Sequence, residues 1–599
     1  MLPLSTPFNS IALSLSGGGY RAASFSIGIM SYLDRIGLLK NVEFISSASG
    51  GTFAASLYGV YYSKGRPFYD CYKFLLEKMQ GEELLNRVLE VLNDDTEWDP
   101  VGVGKRRNLI NAFAKVYDEK FFLGEQFDIF WNQKPGKRLE VCFNATEFHH
   151  GLSFRFQTDG NSKTAELIGN RNIHFNDDKT GFRKIKVADI LAASSCFPAG
   201  FEPIIFPGDF THASLTRDEL KDAMILEAYD ESMVPLNEPV GFMDGGITDN
   251  QGLFSALTAD QRRRRNKNKP FDLVIVGDVT SHFMDPYKIV EQETATGWRA
   301  GTLNGYLKKA AAIFRKIKNA MIASIFVSLL SLSVAIANIF AFAIPYLTSF
   351  CLFLFGASLV ISLLLVFITR AAGKQKLLKK LFAGDVTPQI KTILEHLNVS
   401  NNFSPPIIDK LTGYLGNTKL NVIEQMLKSR AASVLTMTMD VNLKHTRRLI
   451  YELFYNDQQY DNRRLYNVLF ELSTFNGPNR VYRINKKLPW AKPEDKQLLH
   501  DVPASLCQIA EESRTMGTTL WFAKDDVIQD KLKKLVTTGQ FTTCINLIEY
   551  VQMIERKVEL GDLNLAVEEV NKVKIIKEQL FKDWNEFKKE PYHLYNSLA

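Results

Sequence analysis

Short apolar runs alternate with amphipathic stretches along the first 290 residues. The runs Ile11–Ser16, Val42–Ser47 and Phe271–Val279 have the length and composition of buried strands. The stretches between them, such as Ala22–Leu33 and Thr52–Tyr61, have helical spacing. Strands that alternate with helices predict an α/β fold for this part of the chain.

The pattern changes after residue 375. Polar segments with helical spacing, such as Leu377–Phe382 and Ile390–Leu397, predict helices, and residues 500–585 are mostly helical in pattern. Two segments, Ala432–Val441 and Arg480–Ile484, are predicted strands. The C-terminal region is therefore expected to be mostly helical.

One uncharged segment stands apart from both patterns. The 51 residues from Asn319 to Thr369 contain no Asp, Glu, Lys or Arg, and Pro345 lies near their centre. A spanning helix needs about 20 apolar residues, so the segment predicts two spans, at about 319–343 and 347–369. Backbone groups in lipid must be paired within a helix, which favours a helical hairpin. A buried hairpin of a soluble protein and an interfacial segment are the alternatives.

Basic residues flank this segment on both sides, and its central turn carries no charge. They are Arg299, Lys308, Lys309, Arg315, Lys316 and Lys318 before it and Arg370, Lys374, Lys376, Lys379 and Lys380 after it. By the positive-inside rule, both globular parts are expected on the cytoplasmic side.

Composition excludes several classes of protein. Of 599 residues, 46% are hydrophobic and 23% are charged, which excludes global disorder. A net charge of +6 is small for this length and argues against a nucleic-acid binder. The six cysteines form no CxxC pair, which excludes a zinc ribbon and indicates a reducing compartment. The first residues lack a basic region before an apolar stretch, so no secretory signal is expected.

Three glycines follow the first predicted strand, in Gly17-Gly18-Gly19-Tyr20-Arg21. Glycines at a strand-to-helix turn leave backbone N–H groups free to bind an anion. A phosphate-binding loop would need a further glycine where Ala22 stands, or a following Lys-Ser/Thr pair. An oxyanion hole needs only the N–H donors.

A serine lies at the end of the second strand. Ser47-Ala48-Ser49-Gly50-Gly51 joins this strand to a helix of small residues, which is the pattern of a nucleophile elbow. The flanking positions of such a turn must be small, and Ser47 replaces the usual first glycine. The alternative is a glycine-rich loop with a solvated serine.

An aspartate ends a further apolar run, in Val240–Asp244, and Gly245 and Gly246 follow it. The position at a strand end leaves room for a neighbouring side chain. The alternative is an ordinary Asp-Gly turn.

Together these motifs resemble those of patatin-like phospholipases, and the triple glycine followed by an aromatic residue and arginine is most similar to the cytosolic phospholipase branch. Their order is the glycine loop, Ser49, the small-residue segment Ala192–Phe201 with Pro198, and Asp244-Gly245-Gly246. The resemblance covers residues 8–290 and resumes at about 430–550. It implies a mostly parallel sheet flanked by helices and a Ser–Asp dyad that hydrolyses a lipid ester without a metal or other cofactor.

The resemblance also implies a role for each residue. Ser49 would attack the ester carbonyl to form an acyl-enzyme, with Asp244 as its general base. The N–H groups of Gly17–Gly19 would bind the oxyanion. Arg21 would support the loop or bind the substrate phosphate, for which its guanidinium is suited.

Histidines and charged runs leave alternatives open. A Ser–His–Asp triad would use His212 or His282, whereas the adjacent His149 and His150 are expected at the surface. No HExxH metal pattern occurs. The basic run Arg262–Lys269 fits either a solvated loop or a surface facing an anionic leaflet. Two acidic pairs, Asp94-Asp95 and Asp177-Asp178, lack a calcium-loop pattern and are expected in turns.

The expected protein is a membrane-anchored lipid acyl hydrolase that acts on a glycerophospholipid or lysophospholipid. A neutral acylglycerol is the alternative substrate, and a catalytically lapsed membrane scaffold or pore-forming assembly is the alternative function. The expected domains are 1–290 for the hydrolase, 291–375 for the hairpin and 376–599 for the helical region, of which about 430–550 is a candidate to complete the hydrolase. The lipid bilayer is the expected partner, and no nucleic acid is expected.

Overall fold

The computed structural model describes residues 4–98, 104–133, 138–158, 168–175, 181–198, 200–226, 239–266, 268–280, 296–342, 344–374, 414 and 416–598. They belong to two units, Met1–Asp285 with Leu435–Ala599, and Pro286–Val434. The first unit therefore combines both ends of the chain, and the second contains the uncharged segment.

The strands and helices are numbered in chain order. The strands are β1 (Leu4–Ser5), β2 (Ile11–Leu15), β3 (Val42–Ala48), β4 (Glu140–Glu147), β5 (Leu152–Gln157), β6 (Ile173–Phe175), β7 (Ile204–Phe206), β8 (Met224–Leu226), β9 (Val240–Asp244), β10 (Leu273–Asp278), β11 (Arg464–Val468) and β12 (Asn564–Leu565). The α-helices are α1 (Gly19–Arg35), α2 (Gly50–Ser63), α3 (Phe68–Lys78), α4 (Glu83–Asn93), α5 (Leu109–Tyr117), α6 (Val187–Ser195), α7 (Arg217–Ala223), α8 (Gly246–Asp249), α9 (Leu253–Arg265), α10 (Leu303–Ala337), α11 (Leu347–Lys374), α12 (Leu420–Thr436), α13 (Leu443–Asn456), α14 (Gly477–Lys487), α15 (Pro493–His500), α16 (Ala504–Thr515), α17 (Lys524–Ile528), α18 (Lys531–Glu559), α19 (Val567–Lys589) and α20 (His593–Leu598).

The main sheet of the first unit has the strand order β11-β10-β2-β3-β4-β9-β7, and β5 also pairs with β4. The strands from β11 to β4 are parallel, whereas β5, β9 and β7 pair in antiparallel fashion. Every residue of β2 and β10 is buried, because helices cover both faces of a parallel sheet. The predicted mostly parallel sheet with flanking helices is confirmed.

Two strands end against each other on one edge of β4. Ala48, the last residue of β3, pairs with Asn144, and Asp244, the last residue of β9, pairs with Ala145. The opposite edge of β4 is occupied by β5, so β3 and β9 must share this edge. Their directions are opposite, and their carboxyl ends therefore meet.

The C-terminal segment adds an edge strand and a helical layer to this sheet. β11 pairs in parallel with β10. At the end of β10, the buried Asp278 carboxylate accepts hydrogen bonds from Arg447 Nε at 2.8 Å and from the Tyr451 hydroxyl at 3.0 Å. This buried, hydrogen-bonded ion pair joins α13 to the sheet.

Helices α1 and α18 pack with their backbones in contact. A Cβ atom at Gly28 would lie 2.2 Å from the carbonyl oxygen of Val536, and one at Gly539 would lie 2.5 Å from that of Phe25. Any larger residue at either position would push the helices apart. Gly28 and Gly539, which are more than 500 positions apart in the chain, are thus packed together.

Both strands predicted in the C-terminal region are wrong. Ala432–Val441 lies at the end of α12 and in the π-helical segment Met437–Asn442, and Arg480–Ile484 lies in α14. Strand preference depends on a neighbouring strand to pair with, and the sheet instead takes β11 from this region. The predicted helices Leu377–Phe382 and Ile390–Leu397, like Asp177-Asp178, lie outside the described residues.

The first half of the basic run Arg262–Lys269 is helical, not a loop. Arg262, Arg263 and Arg264 form the last turn of α9, and they pair with Glu140, Glu43 and Asp260, respectively. Because each of these arginines has an acidic partner within the first unit, they do not form a free basic patch.

The second unit contains a helical hairpin with a polar interior. Hydroxyl groups bond between α10 and α11, from Ser324 to Ser362 at 2.8 Å and from Ser328 to Ser358 at 2.6 Å. At the turn, Asn338 Oδ1 accepts the N–H of Ile344, and its Nδ2 donates to the carbonyl of the same residue. Small and polar residues therefore line the contact between the helices.

The outer faces of the hairpin are apolar. Phe326, Leu329, Phe353, Leu363 and Phe367 are all exposed. A soluble hairpin would bury such residues, whereas membrane helices commonly pack through small residues. Leu303–Phe342 and Leu347–Phe367 are both long and apolar enough to cross a membrane. The predicted pair of apolar helices is confirmed, with the first helix beginning at Leu303 and thus including the preceding basic stretch.

Candidate active site

Ser49 occupies a sharp turn between β3 and α2. Its backbone has φ 50° and ψ −123°, a strained conformation for a residue with a side chain. The turn lies directly against the glycine loop, since a Cβ at Gly50 would be 1.9 Å from the carbonyl oxygen of Gly19. A Cβ at Gly51 would be 2.5 Å from the carbonyl of Leu15. The serine thus has the geometry of a nucleophile elbow, and the two glycines after it are required by close backbone contacts.

Hydroxyl groups beneath the turn explain why Ser47 replaces the usual glycine. Ser47 is fully buried, and its Oγ lies 3.1 Å from Thr52 Oγ1. Thr52 Oγ1 lies 2.8 Å from Ser194 Oγ, which donates to the Asn144 carbonyl at 2.7 Å. Because Ser194 donates its hydrogen to a carbonyl, Thr52 must donate to Ser194, and Ser47 must donate to Thr52. The extra hydroxyl group is therefore satisfied.

Ser194 also holds the strained backbone of Ser49. The Ser49 N–H lies 3.1 Å from both the carbonyl and the hydroxyl oxygen of Ser194. The same segment anchors the end of β9, because the Asp244 N–H donates to the Cys196 carbonyl at 3.0 Å. The small-residue segment Ala192–Phe201 thus joins the two halves of the site.

Asp244 lies beside Ser49 and is buried. Its carboxylate accepts the N–H of Gly246 at 2.7 Å. Burial raises the pKa of the Asp244 carboxyl to about 6, although the Gly246 N–H and the nearby Ser49 hydroxyl lower it. The carboxylate is therefore more basic than a solvated aspartate, yet ionised at neutral pH.

The glycine loop presents two backbone N–H groups. Gly18 and Gly19 have φ values of 139° and 59°, which residues with side chains rarely adopt. The Gly17 N–H already donates to the Asn250 carbonyl at 2.8 Å, so it is not available to an oxyanion. Within the described parts of the chain, no acceptor is found for the N–H groups of Gly18 and Gly19. The expected set of three donors is thus reduced to two.

Arg21 fastens the loop to the C-terminal segment. Its guanidinium donates to the Met516 carbonyl at 2.7 Å, and the neighbouring Tyr20 N–H donates to the Thr519 carbonyl at 2.6 Å. Burial lowers the pKa of Arg21 to about 10, so the group remains cationic at neutral pH. Its Nε is buried and finds no hydrogen-bond partner among the described residues.

One cavity of about 480 Å³ in the first unit brings these residues together. Its described lining consists of Gly17, Gly18, Gly19, Arg21, Ser49, Phe197, Pro198, Asp244, Gly246, Ile247, Asn250, Thr280, Asp440, Leu443, Lys444, Thr518, Thr519 and Leu520. The sequence analysis missed Asn250, although it follows the Asp-Gly-Gly motif closely. It also missed the C-terminal lining residues, for which no motif gives a signal.

No described histidine lines this cavity. His212 lines a different cavity, where its Nε2 contacts the carbonyl of Lys184 at 2.9 Å, so it is not placed to act on Ser49. His149 and His150 are exposed, as predicted, and His282 lies outside the described residues. Among the described residues, no group of three or more His, Cys, Asp or Glu side chains could hold a metal ion.

The first unit has an α/β fold in which Ser49 lies at a sharp strand-to-helix turn. Residues 13–257 match the family model of patatin-like phospholipases. The resemblance inferred from the motifs is confirmed. No curated protein matches the chain.

A comparison with solved structures gives a partial match to human GIVD cytosolic phospholipase A2, with 13% identity and a TM-score of 0.30, over 45% of this chain and 43% of that one. The match therefore spans less than half of that chain's length.

The hydroxyl groups beneath the elbow give a prediction about stability. Thr52→Val keeps the shape of the side chain but leaves Ser47 and Ser194 without their shared partner. We expect the free energy of unfolding of the first unit to fall by about 1–3 kcal/mol, measured by denaturant titration of the full chain. Thr258→Val is the matched control, because the Thr258 hydroxyl bonds only to the Phe254 carbonyl on the surface of α9. Equal losses in the two variants would contradict the role of Thr52.

Proposed function

We propose that this chain is a serine-type lipid acyl hydrolase in which Ser49 and Asp244 form a catalytic dyad. The patatin-like phospholipase domain supports lipid hydrolase activity. The observation that carries the dyad is the position of Ser49 and the buried Asp244 carboxylate near each other at the wall of one cavity.

The proposed reaction has two steps. Asp244 takes the proton of Ser49 as Oγ attacks the ester carbonyl, and the tetrahedral oxyanion accepts hydrogen bonds from the N–H groups of Gly18 and Gly19. The carbonyl re-forms as the alcohol leaves with the proton from Asp244. Water then attacks the acyl-enzyme, gives its proton to Asp244 and releases the fatty acid, and Ser49 recovers its proton.

The charges of the cavity favour a phospholipid over a neutral acylglycerol. Arg21 and Lys444 both line it, whereas a neutral lipid offers no anion for these cations. The proposed substrate is therefore a glycerophospholipid or lysophospholipid. A lapsed hydrolase is less well supported, because Ser49, Asp244 and the glycine loop are all present and line the same cavity.

The hairpin is proposed to anchor the enzyme in the membrane that contains its substrate. Its exposed apolar faces and polar interior suit lipid. Its basic flanks support a cytoplasmic position for both globular parts. Residues 1–285 and 435–599 are proposed to act together as the hydrolase domain, since both line the cavity.

Ser49→Ala and Asp244→Asn should each abolish ester hydrolysis. Loss of a nucleophile or its base lowers kcat by about a thousandfold or more, and both changes preserve side-chain volume closely. Fatty-acid release from lipid vesicles and labelling by a fluorophosphonate probe are the measurements. Ser56→Ala is the control. Ser56 lies in α2, the helix that follows Ser49, and its hydroxyl donates to the carbonyls of Thr52 and Phe53. Full activity in Asp244→Asn would show that another base serves Ser49.

The pH profile should report the ionisation of Asp244. Only the carboxylate can take a proton, so kcat/KM should rise with pH through an apparent pKa of about 6 and fall about tenfold per pH unit well below it. Burial also raises the pKa of Asp249 to about 6, and this residue does not line the cavity. With a soluble ester as the substrate, kcat/KM of Asp249→Asn should therefore decrease at low pH as it does in the wild type. An acid limb near pH 4 in the wild type would argue against Asp244 as the base.

The topology can be tested with single cysteines. Tyr346→Cys lies at the exposed turn of the hairpin, and Ser597→Cys lies near the C-terminus. In intact cells, an impermeant maleimide should label Tyr346→Cys above the background of the parent chain, and Ser597→Cys only after permeabilisation. The reverse pattern would exclude the proposed orientation.

A further inference from the structure

Two charged residues of the C-terminal segment line the Ser49 cavity. Asp440 belongs to the π-helical segment Met437–Asn442, and Lys444 lies one turn later, in α13. Short π-helical segments often occur at functional sites. Both residues lie outside the part of the chain that matches the family model.

The two charges differ in depth. The side chain of Lys444 is 13% exposed and that of Asp440 is 52% exposed. The carboxylate is therefore more accessible to solvent than the ammonium group. Arg21, which is largely buried, adds a second cation to the inner part of the lining.

The pair is also easily opened. Lys444 Nζ and Asp440 Oδ1 are 3.6 Å apart, which is too far for a hydrogen bond. Ion pairs with an exposed partner contribute little to stability. The contact between Lys444 and Asp440 therefore contributes little by itself, and a ligand that carries both charges can replace it.

We propose that Lys444 and Asp440 form a head-group subsite that selects a zwitterionic phospholipid. Lys444 binds the phosphate, and Asp440 binds the amine or quaternary ammonium beyond it. In such a lipid the phosphate lies between the ester and the cationic group, which agrees with the greater burial of Lys444 and the greater exposure of Asp440. An anionic lipid without an amine would offer Asp440 no cation, and its phosphate would lie close to the negative charge of Asp440.

The inference rests on the proposed hydrolysis at Ser49 and is tested by a ratio of rates. The full chain in detergent micelles is assayed with short-chain phosphatidylcholine and with phosphatidylmethanol of the same acyl chains. Asp440→Asn should lower the ratio of their kcat/KM values about fivefold, as expected for one lost charge contact. Asp440→Lys should lower it further, and Lys444→Met should lower both rates relative to that of a soluble p-nitrophenyl ester.

The ratio is measured in one preparation, so any unfolded fraction cancels. Asp70→Asn is the matched control, since Asp70 forms an exposed ion pair with Arg66 four residues earlier, on a different surface. An unchanged ratio in Asp440→Asn would overturn the subsite. Wild-type hydrolysis of the p-nitrophenyl ester but of neither phospholipid would overturn the subsite alone, whereas no hydrolysis of any ester would overturn the proposed function.

Discussion

The active-site geometry depends on two strand ends that meet on one edge of β4. Because β5 occupies the opposite edge, β3 and β9 must stop at the adjacent residues Asn144 and Ala145. The chain then turns away sharply after each strand, and Ser49 and Asp244 are left side by side. The strain at Ser49 persists because Ser194 accepts its N–H twice, which illustrates how a rigid surrounding can hold an unfavourable backbone conformation.

The two units distribute their apolar and polar side chains in opposite ways. In the first unit, apolar strands are covered by helices, and several buried charges are paired, as Asp278 is with Arg447. In the second unit, serine hydroxyls and Asn338 lie inside and the apolar side chains lie outside. Water surrounds the first arrangement favourably, whereas the second is favourable only in an apolar medium. This contrast is the physical basis for the proposed membrane anchor.

The sequence by itself determined the features that depend on neighbouring residues. The strand, turn and helix around Ser49 follow from small residues after an apolar run, and the glycine loop follows from the backbone freedom of Gly18 and Gly19. Asp244 was recognised as a residue that ends a strand. The apolar hairpin with its turn near Pro345 follows from length and charge alone, because a helix that crosses lipid must be long and uncharged.

Only the tertiary structure decided which of these groups can act. It showed that Asn250 occupies the N–H of Gly17 and that Thr52 satisfies the unexpected hydroxyl of Ser47. It also brought Asp440 and Lys444 to the Ser49 cavity and replaced two predicted strands by helices. The hydrogen bond between Gly17 and Asn250 and the lining of the Ser49 cavity depend on contacts between segments that are hundreds of residues apart. Local patterns carry no record of such contacts, because strand pairing, cavity lining and hydrogen-bond satisfaction are decided by the partner that the fold supplies.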